Sequence, residues 1–198
     1  GRRRRRAPRP HSTPHLRRRR PLIIVDTGEV PNQNRPILRA ARPADADAVA
    51  EIWRRGWHDG HHGNVPAELV DVRTDESFAI RSADRVADTT VATVDDVVAG
   101  FVMVVGDEVE QVYVAAEHRG TTVAEALLTA AEEIVAAAGH DEAWLAVVAG
   151  NARARRFYER RGWVDGGPFD YAARAAGRPI NVPCRRYVKQ LGRSSRDE

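Results

Sequence analysis

Two hydrophobic rhythms alternate along the chain from residue 36 onward. Short apolar runs rich in β-branched residues, at 36–41, 89–94, 97–105, 108–114, 143–148 and 181–191, predict strands. Between them, apolar residues three and four positions apart predict helices. Val49, Ile52, Trp53 and Gly56 mark one side of a helix opened by 43–47, where Asp45 or Asp47 serves the free N–H groups of the first turn. Thr74 caps a helix running to about residue 86 with Phe78 and Ile80 available to a core, and Pro66 stands at the start of another. Val123, Ala126, Leu127, Ala130, Ile134 and Ala138 form the stripe of a helix over 123–138, stopped by Gly139. Asn151 caps a further helix that carries Phe157 and Tyr158 and ends at Gly162. Asp95-Asp96 reads as the turn of an antiparallel hairpin, and the 57–63 stretch, with Gly60 and Gly63, as a glycine-broken loop.

The most informative joint is the passage from the strand at 108–114 to the helix beginning at Val123. A helix start exposes free N–H groups and the positive end of the macrodipole, so a small-residue loop entering it suits a phosphate. Val112-Tyr-Val114, followed by His118-Arg-Gly-Thr-Thr-Val-Ala124 and Leu127-Leu128, resembles the acyl-CoA site of the GNAT-type N-acetyltransferases. That family's pattern is Arg or Gln, two residues, Gly, one residue, Gly or Ala. Arg119 and Ala124 fit it; Thr122 replaces the central glycine, adding bulk where backbone approaches phosphate and disfavouring unusual dihedrals. Trp144-Leu-Ala-Val-Val148, then Asn151 and Phe157-Tyr-Glu-Arg-Arg-Gly-Trp163, is similar to the family's strand, asparagine-led helix and closing Phe-Tyr-Glu-x-x-Gly-aromatic segment. The likeness spans roughly residues 37 to 191.

The resemblance implies an α/β fold with a mixed, largely antiparallel central sheet flanked by helices, and an N-acetyltransferase that moves acetyl from acetyl-CoA to a primary amine of a small molecule or protein. The cofactor residues it implies are Val112 and Val114 against the pantetheine arm, Arg119, Gly120, Thr121, Thr122, Val123 and Ala124 around the pyrophosphate, and Asn151. Tyr158 stands where many relatives keep the acid that protonates the departing thiolate. Glu108 and Glu110, two apart on a strand, should share a face with Val112 and Val114 and supply the base, Glu108 having the better spacing. Trp53, Trp57 and His58 are the candidates for the acceptor pocket. The alternative, resting on Thr122, is a catalytically weak acyl-CoA-binding module. Dimers are common among similar proteins, so a homodimer is compatible.

Composition adds three bounds. The formal charge of +3 divides unevenly: residues 1–34 hold ten arginines against Asp26 and Glu29, a balance of +8, which leaves −5 for the remainder. That tail, with its five prolines, is expected to be disordered, with a nucleic-acid role disfavoured; residues 35–191 form one domain and 192–198 a frayed end. The acidic remainder hints at a cationic substrate. The single cysteine, Cys184, fits a reducing cytoplasm and reads as an inert strand residue, and no apolar run reaches the length of a membrane span. His58, His61 and His62 have no cysteine near them and no settled ligand spacing, so no metal is expected.

Overall fold

Seven strands make one sheet in the computed structural model, which describes residues 35–61, 63–175 and 178–192; the readings for 1–34, His62 and 193–198 lie outside it. The strands are β1 (Ile37–Ala40), β2 (Thr89–Val94), β3 (Val97–Val105), β4 (Glu108–Val114), β5 (Glu142–Val148), β6 (Val164–Ala173) and β7 (Ile180–Gln190), in the order β1-β2-β3-β4-β5-β7-β6. All neighbours are antiparallel except β4 and β5. The hairpin β2–β3 turns on Asp95 and Asp96, both at positive φ, as a tight two-residue turn requires.

Helices cover both faces. On one lie α1 (Ala46–His61), α2 (Ala67–Val72) and α3 (Asp75–Asp84), whose Val49, Trp53, Trp57, Leu69 and Phe78 pack with Val91, Phe101, Met103 and Val182. On the other lies α4 (Val123–Ala137), whose Val123, Leu127, Leu128 and Val135 pack with Val102, Val109, Leu145 and Tyr187; α5 (Ala152–Arg160) adds Phe157 and Tyr158 to that side. Trp53 is fully buried and meets Phe78 and Phe101 at ring-centroid distances of 5.8 Å each, so truncating it to alanine should cost about 3–5 kcal/mol. Among the described residues, no helix is long and apolar enough to cross a membrane.

Local signals set the ends. Asn151 accepts from the Ala154 N–H at 3.0 Å and Thr74 from Ser77 at 3.2 Å, while Gly139 takes φ +92° after α4. Asp45 ends a short 3-10 turn, buried, where it accepts the Arg42 N–H at 2.7 Å and both guanidinium nitrogens of Arg39 at 2.7 and 2.8 Å.

Three features depart from the sequence reading. First, 57–61 is the last turn of α1 and not a loop: Trp57 is buried and anchors it, and the glycines serve close packing. A Cβ on Gly56 would lie 2.4 Å from the Tyr113 ring, and one on Gly60 3.2 Å from the Asn151 amide nitrogen. Second, 164–173 is a strand, hidden in sequence by Gly166-Gly167-Pro168. A register shift between Asp165 and Gly167 absorbs the extra residue, and β6 is an edge strand, where proline's missing N–H is tolerated. Third, β4 is bulged. Met103 pairs with Gln111 but Val104 with Val109, so Glu110 is the extra residue and the simple alternation fails. Val109 and Val112 therefore both face the α4 core, while Tyr113 packs on the α1–α3 side.

Candidate active site

The two central strands part company. β4 and β5 are paired only at Glu108–Trp144, supported by the Trp144 N–H donating to Asp107 O at 3.0 Å and its indole N–H to the Asp107 carboxylate at 3.1 Å. Beyond that pair the strands diverge, and the β4 edge facing β5 carries backbone groups without a ladder partner. A cavity of about 160 Å³ fills the gap. Its walls are residues 109–113 of β4 and 145–148 of β5, closed on the α1–α3 side by Trp53, Trp57 and Arg73 and on the α5 side by Asn151 and Tyr158.

The carboxylates do not sit where alternation put them. The expectation that Glu108 and Glu110 share a face with Val112 and Val114 is corrected by the bulge: both valines pack toward α4, whereas both carboxylates find partners on the opposite side. Glu110, its side chain 8% exposed, is held by Arg85 at 2.6 Å. Glu108 accepts from the Tyr171 hydroxyl, and partial burial is the main reason its pKa is pushed above the ordinary carboxylate range. Tyr171 and Glu110 line the cavity; Glu108 stands behind Tyr171.

Tyr158 lies across the cavity on α5, its ring edge-on to Phe157 and Trp163 at 5.3 and 6.1 Å. Burial raises its pKa well beyond that of a free phenol, so it holds its proton at neutral and mildly alkaline pH. Tyr113, opposite, is raised by burial and by Tyr158 in the same way. Asn151 spends its side-chain oxygen on the α5 cap and turns its amide nitrogen toward α1 at Gly60, beside the cavity.

Past Val114 the chain makes a 3-10 turn, Ala116–His118, and enters the loop to α4. Gly120 carries the one left-handed conformation there, φ +81°, with nothing near its Cβ position. Thr122 has φ −75° and ψ −4°, ordinary helical values, so this backbone does not call for glycine at the position where the motif has one. Thr121 bridges the loop, its hydroxyl donating to His118 O at 2.6 Å and accepting from the Val123 N–H at 3.3 Å. The N–H groups of Thr122, Ala124 and Glu125 have no acceptor among the described residues, the usual state of a helix start. Arg119 is tied to Asp59 of α1 at 2.7 Å.

Of the residues proposed from sequence, the structure gathers Trp53, Trp57, Glu110, Val112, Asn151 and Tyr158 around the cavity. Glu108 lies one residue behind it, and Val114 with the loop 119–124 leads away from its β4 wall toward the head of α4. His58 is not among the lining residues; its ring lies 6.3 Å from Phe78, and His61, stacked on Trp57 at 5.0 Å, takes the cavity position. His61 is bonded to the Trp57 carbonyl at 3.0 Å, and burial lowers its pKa to about 4, so it is neutral at physiological pH. Sequence reasoning missed Arg73, Arg81, Tyr113 and Tyr171. Arg73 lies before, and Arg81 within, a helix that reads as amphipathic, with nothing to separate an inward arginine from a solvated one; Tyr171 lies in the strand that went unread.

A family model described as "Acetyltransferase (GNAT) family" matches residues 46–163. Among solved structures, a GCN5-related N-acetyltransferase from Rhodopseudomonas palustris superposes with a TM-score of 0.63 at 23% identity, covering 79% of this chain and 96% of that one. YncA from Salmonella typhimurium, a putative acetyltransferase solved with acetyl-CoA, gives 0.59 at 19% identity over 83% and 98%. PaiA N-acetyltransferase from Thermoplasma acidophilum, solved with coenzyme A, gives 0.59 at 18% over 79% and 99%. No curated protein matches the sequence.

Proposed function

The chain belongs to the GNAT acetyltransferase family, and from that premise we propose that it is an N-acetyltransferase using acetyl-CoA as acyl donor and a small primary amine as acceptor. The observation that carries the reading is the splayed pair β4–β5: an unpaired strand edge leads from a small polar cavity to a helix start with free N–H groups. When bound, acetyl-CoA supplies the activated thioester. The residues present fit it, since the free N–H groups of Thr122, Ala124 and Glu125 with the Thr122 hydroxyl would hold the pyrophosphate at the head of α4, and the β4 edge around Val112 and Val114 would pair with the amide-bearing pantetheine arm. The Asn151 amide steadies that arm from the other wall. Thr122 blocks none of this by its backbone, so the catalytically weak reading has no support from local strain.

The chain's own residues then manage two protons. Glu108 is the better base: its raised pKa brings it closer to neutrality, and Tyr171, whose hydroxyl donates to it, lines the cavity, so the acceptor's ammonium proton leaves along Tyr171 to Glu108. Glu110, committed to Arg85, orients that wall. Tyr158 delivers the second proton to the departing thiolate, and Trp53 and Trp57 exclude water from the acceptor side. The cavity suits the amine-bearing end of a small molecule better than a folded protein surface. The test is a panel of small amines with acetyl-CoA, read by released free thiol and by the mass of the acetylated product. Amine-dependent release supports the proposal; hydrolysis alone, or no release from a protein that binds acetyl-CoA, counts against it.

A further inference from the structure

The acceptor side of the cavity holds two arginines that the acetyl-transfer steps above do not use. Arg73 follows α2 and is 7% exposed. One of its terminal nitrogens donates to the Arg174 carbonyl at 2.7 Å, but its Nε is buried with no hydrogen-bond partner among the described residues. Arg81, on α3, places its guanidinium carbon over the Trp53 ring, 4.2 Å from the centroid. Among the described residues neither forms an ion pair, and the cavity's one lining carboxylate, Glu110, is engaged by Arg85. Around the two guanidinium groups stand Tyr113, Tyr171, His61, Arg85 and Glu110; Glu110 alone is a carboxylate, it acts on Arg81 from a distance while bonded to Arg85, and no negative group is bonded to Arg73 or Arg81 among the described residues. A buried guanidinium is costly unless it is matched by an anion, and two that share a cleft repel as well. Burial first and the Arg73 charge second lower the Arg81 pKa to about 10, against a smaller opposing pull from Glu110.

Such an arrangement is complete only with a negative group between the arginines. We infer that the acceptor amine carries a carboxylate, as a free amino acid does, and that Arg73 and Arg81 receive it while the amino group points toward Tyr171 and the thioester. This deepens the acetyl-transfer reading and rests on it for the position of the amine. The planar fork of arginine suits a carboxylate, and Arg73 has its Nε–H free for one while Nη2 holds the Arg174 carbonyl. The coenzyme's phosphates are not the natural occupant: their loop heads α4, on the opposite face of the sheet from α2 and α3. The overall acidity of the folded part, which suggested a cationic substrate, is overruled here by the local lining of the cavity.

The experiment compares matched pairs of amines, free L-amino acids against their carboxamides and their decarboxylated amines, using the full chain with acetyl-CoA. The carboxylated member should win by about 100-fold in kcat/KM, the scale of leaving a charged hydrogen-bonding site unpaired. Arg81→Gln should narrow that preference to less than about tenfold through KM, and Arg73→Lys, which keeps the charge but loses the fork, should narrow it as well. Thermal stabilisation by the same L-amino acids, with their amides as control, reads binding without chemistry. Stabilisation by the acids alone, with no acetyl transfer to any amine, would uphold the anion site and defeat the transfer reading. Transfer to acids and amides at equal efficiency would overturn the anion site and leave the transfer reading standing. Absence of both a stabilisation difference and a rate difference would overturn the inference outright.

Discussion

Removing one oxygen atom isolates the acid from the scaffold. In Tyr158→Phe the ring keeps its contacts with Phe157 at 5.3 Å, Trp163 at 6.1 Å and Tyr187 at 6.1 Å, so the packing of α5 against the sheet is preserved. The hydroxyl makes no hydrogen bond to the protein among the described residues, so its loss should change stability by less than about 0.5 kcal/mol. The rate should respond very differently. A positioned general acid contributes about 10²–10⁴-fold, or about 3–5 kcal/mol of barrier, and without it the thiolate must leave unprotonated. Because burial lifts the phenol's pKa above its free value, the wild-type acid stays protonated and its rate should show no alkaline fall between pH 7 and 9. The assay is thiol release at saturating amine, alongside calorimetry for acetyl-CoA and a melting curve. The expected result is a kcat down at least about 100-fold, with acetyl-CoA affinity and melting temperature unchanged. A variant within about threefold of wild type, with the fold intact, would refute Tyr158 as the acid and leave the proton to water or Tyr113.

Three further outcomes follow from named contacts. Glu108→Gln should lower the rate at least about tenfold and abolish the acidic limb of the pH–rate profile, since a base with a raised pKa loses activity as pH falls through that pKa; an unchanged limb would remove Glu108 from the mechanism. Asp45 has its pKa lowered to about 2 by the Arg39 hydrogen bonds, against 3.8 unfolded, so its stabilisation is full above pH 4 and is lost as pH drops toward 2. Asp45→Asn should therefore cost about 2 kcal/mol in urea unfolding at pH 7 and much less at pH 2; an equal cost at both would contradict the ionic origin. Cys184 is buried, and its pKa is pushed up to about 11, so the native protein should give almost no reaction with a disulfide reagent at pH 8 and one thiol per chain once unfolded; rapid native labelling would contradict that burial.

Much of this architecture is written locally. The caps Thr74 and Asn151, the Asp95-Asp96 turn and the start of the 123–138 helix are each specified within a few residues and stand in the structure. The buried face of α4, however, is Val123, Leu127, Leu128, Ala130, Ala131 and Val135, with Ile134 and Ala138 of the expected stripe turned to solvent. The errors share a physical source in long-range packing. Gly60 looks like a helix breaker until Asn151 is placed against it. The bulge at Glu110 exists only in the pairing with β3, and no window of β4 alone reveals that it turns both glutamates away from Val112 and Val114. The candidate site divides along the same line. Its loop and its tyrosine were legible as motifs, whereas Arg73, Arg81 and Tyr171 enter the cavity from segments that carry no motif and meet only through the fold. Thr122 shows the converse: the sequence raised a backbone objection that the observed dihedrals remove.

The central claim, that the start of α4 receives the coenzyme, is tested most directly by calorimetric titration of acetyl-CoA into the full chain and into Thr122→Asp. Thr122 is the N-cap of α4, and its side chain makes no capping hydrogen bond. Aspartate is a preferred N-cap and favourable beside the helix dipole, so the variant should melt at the same temperature or higher. Its carboxylate would nonetheless occupy the field intended for the pyrophosphate. The wild type should bind one acetyl-CoA per chain, and the variant should bind at least about tenfold more weakly despite its intact fold. No binding by the wild type, or equal binding by both proteins, would contradict the placement of the coenzyme on this loop.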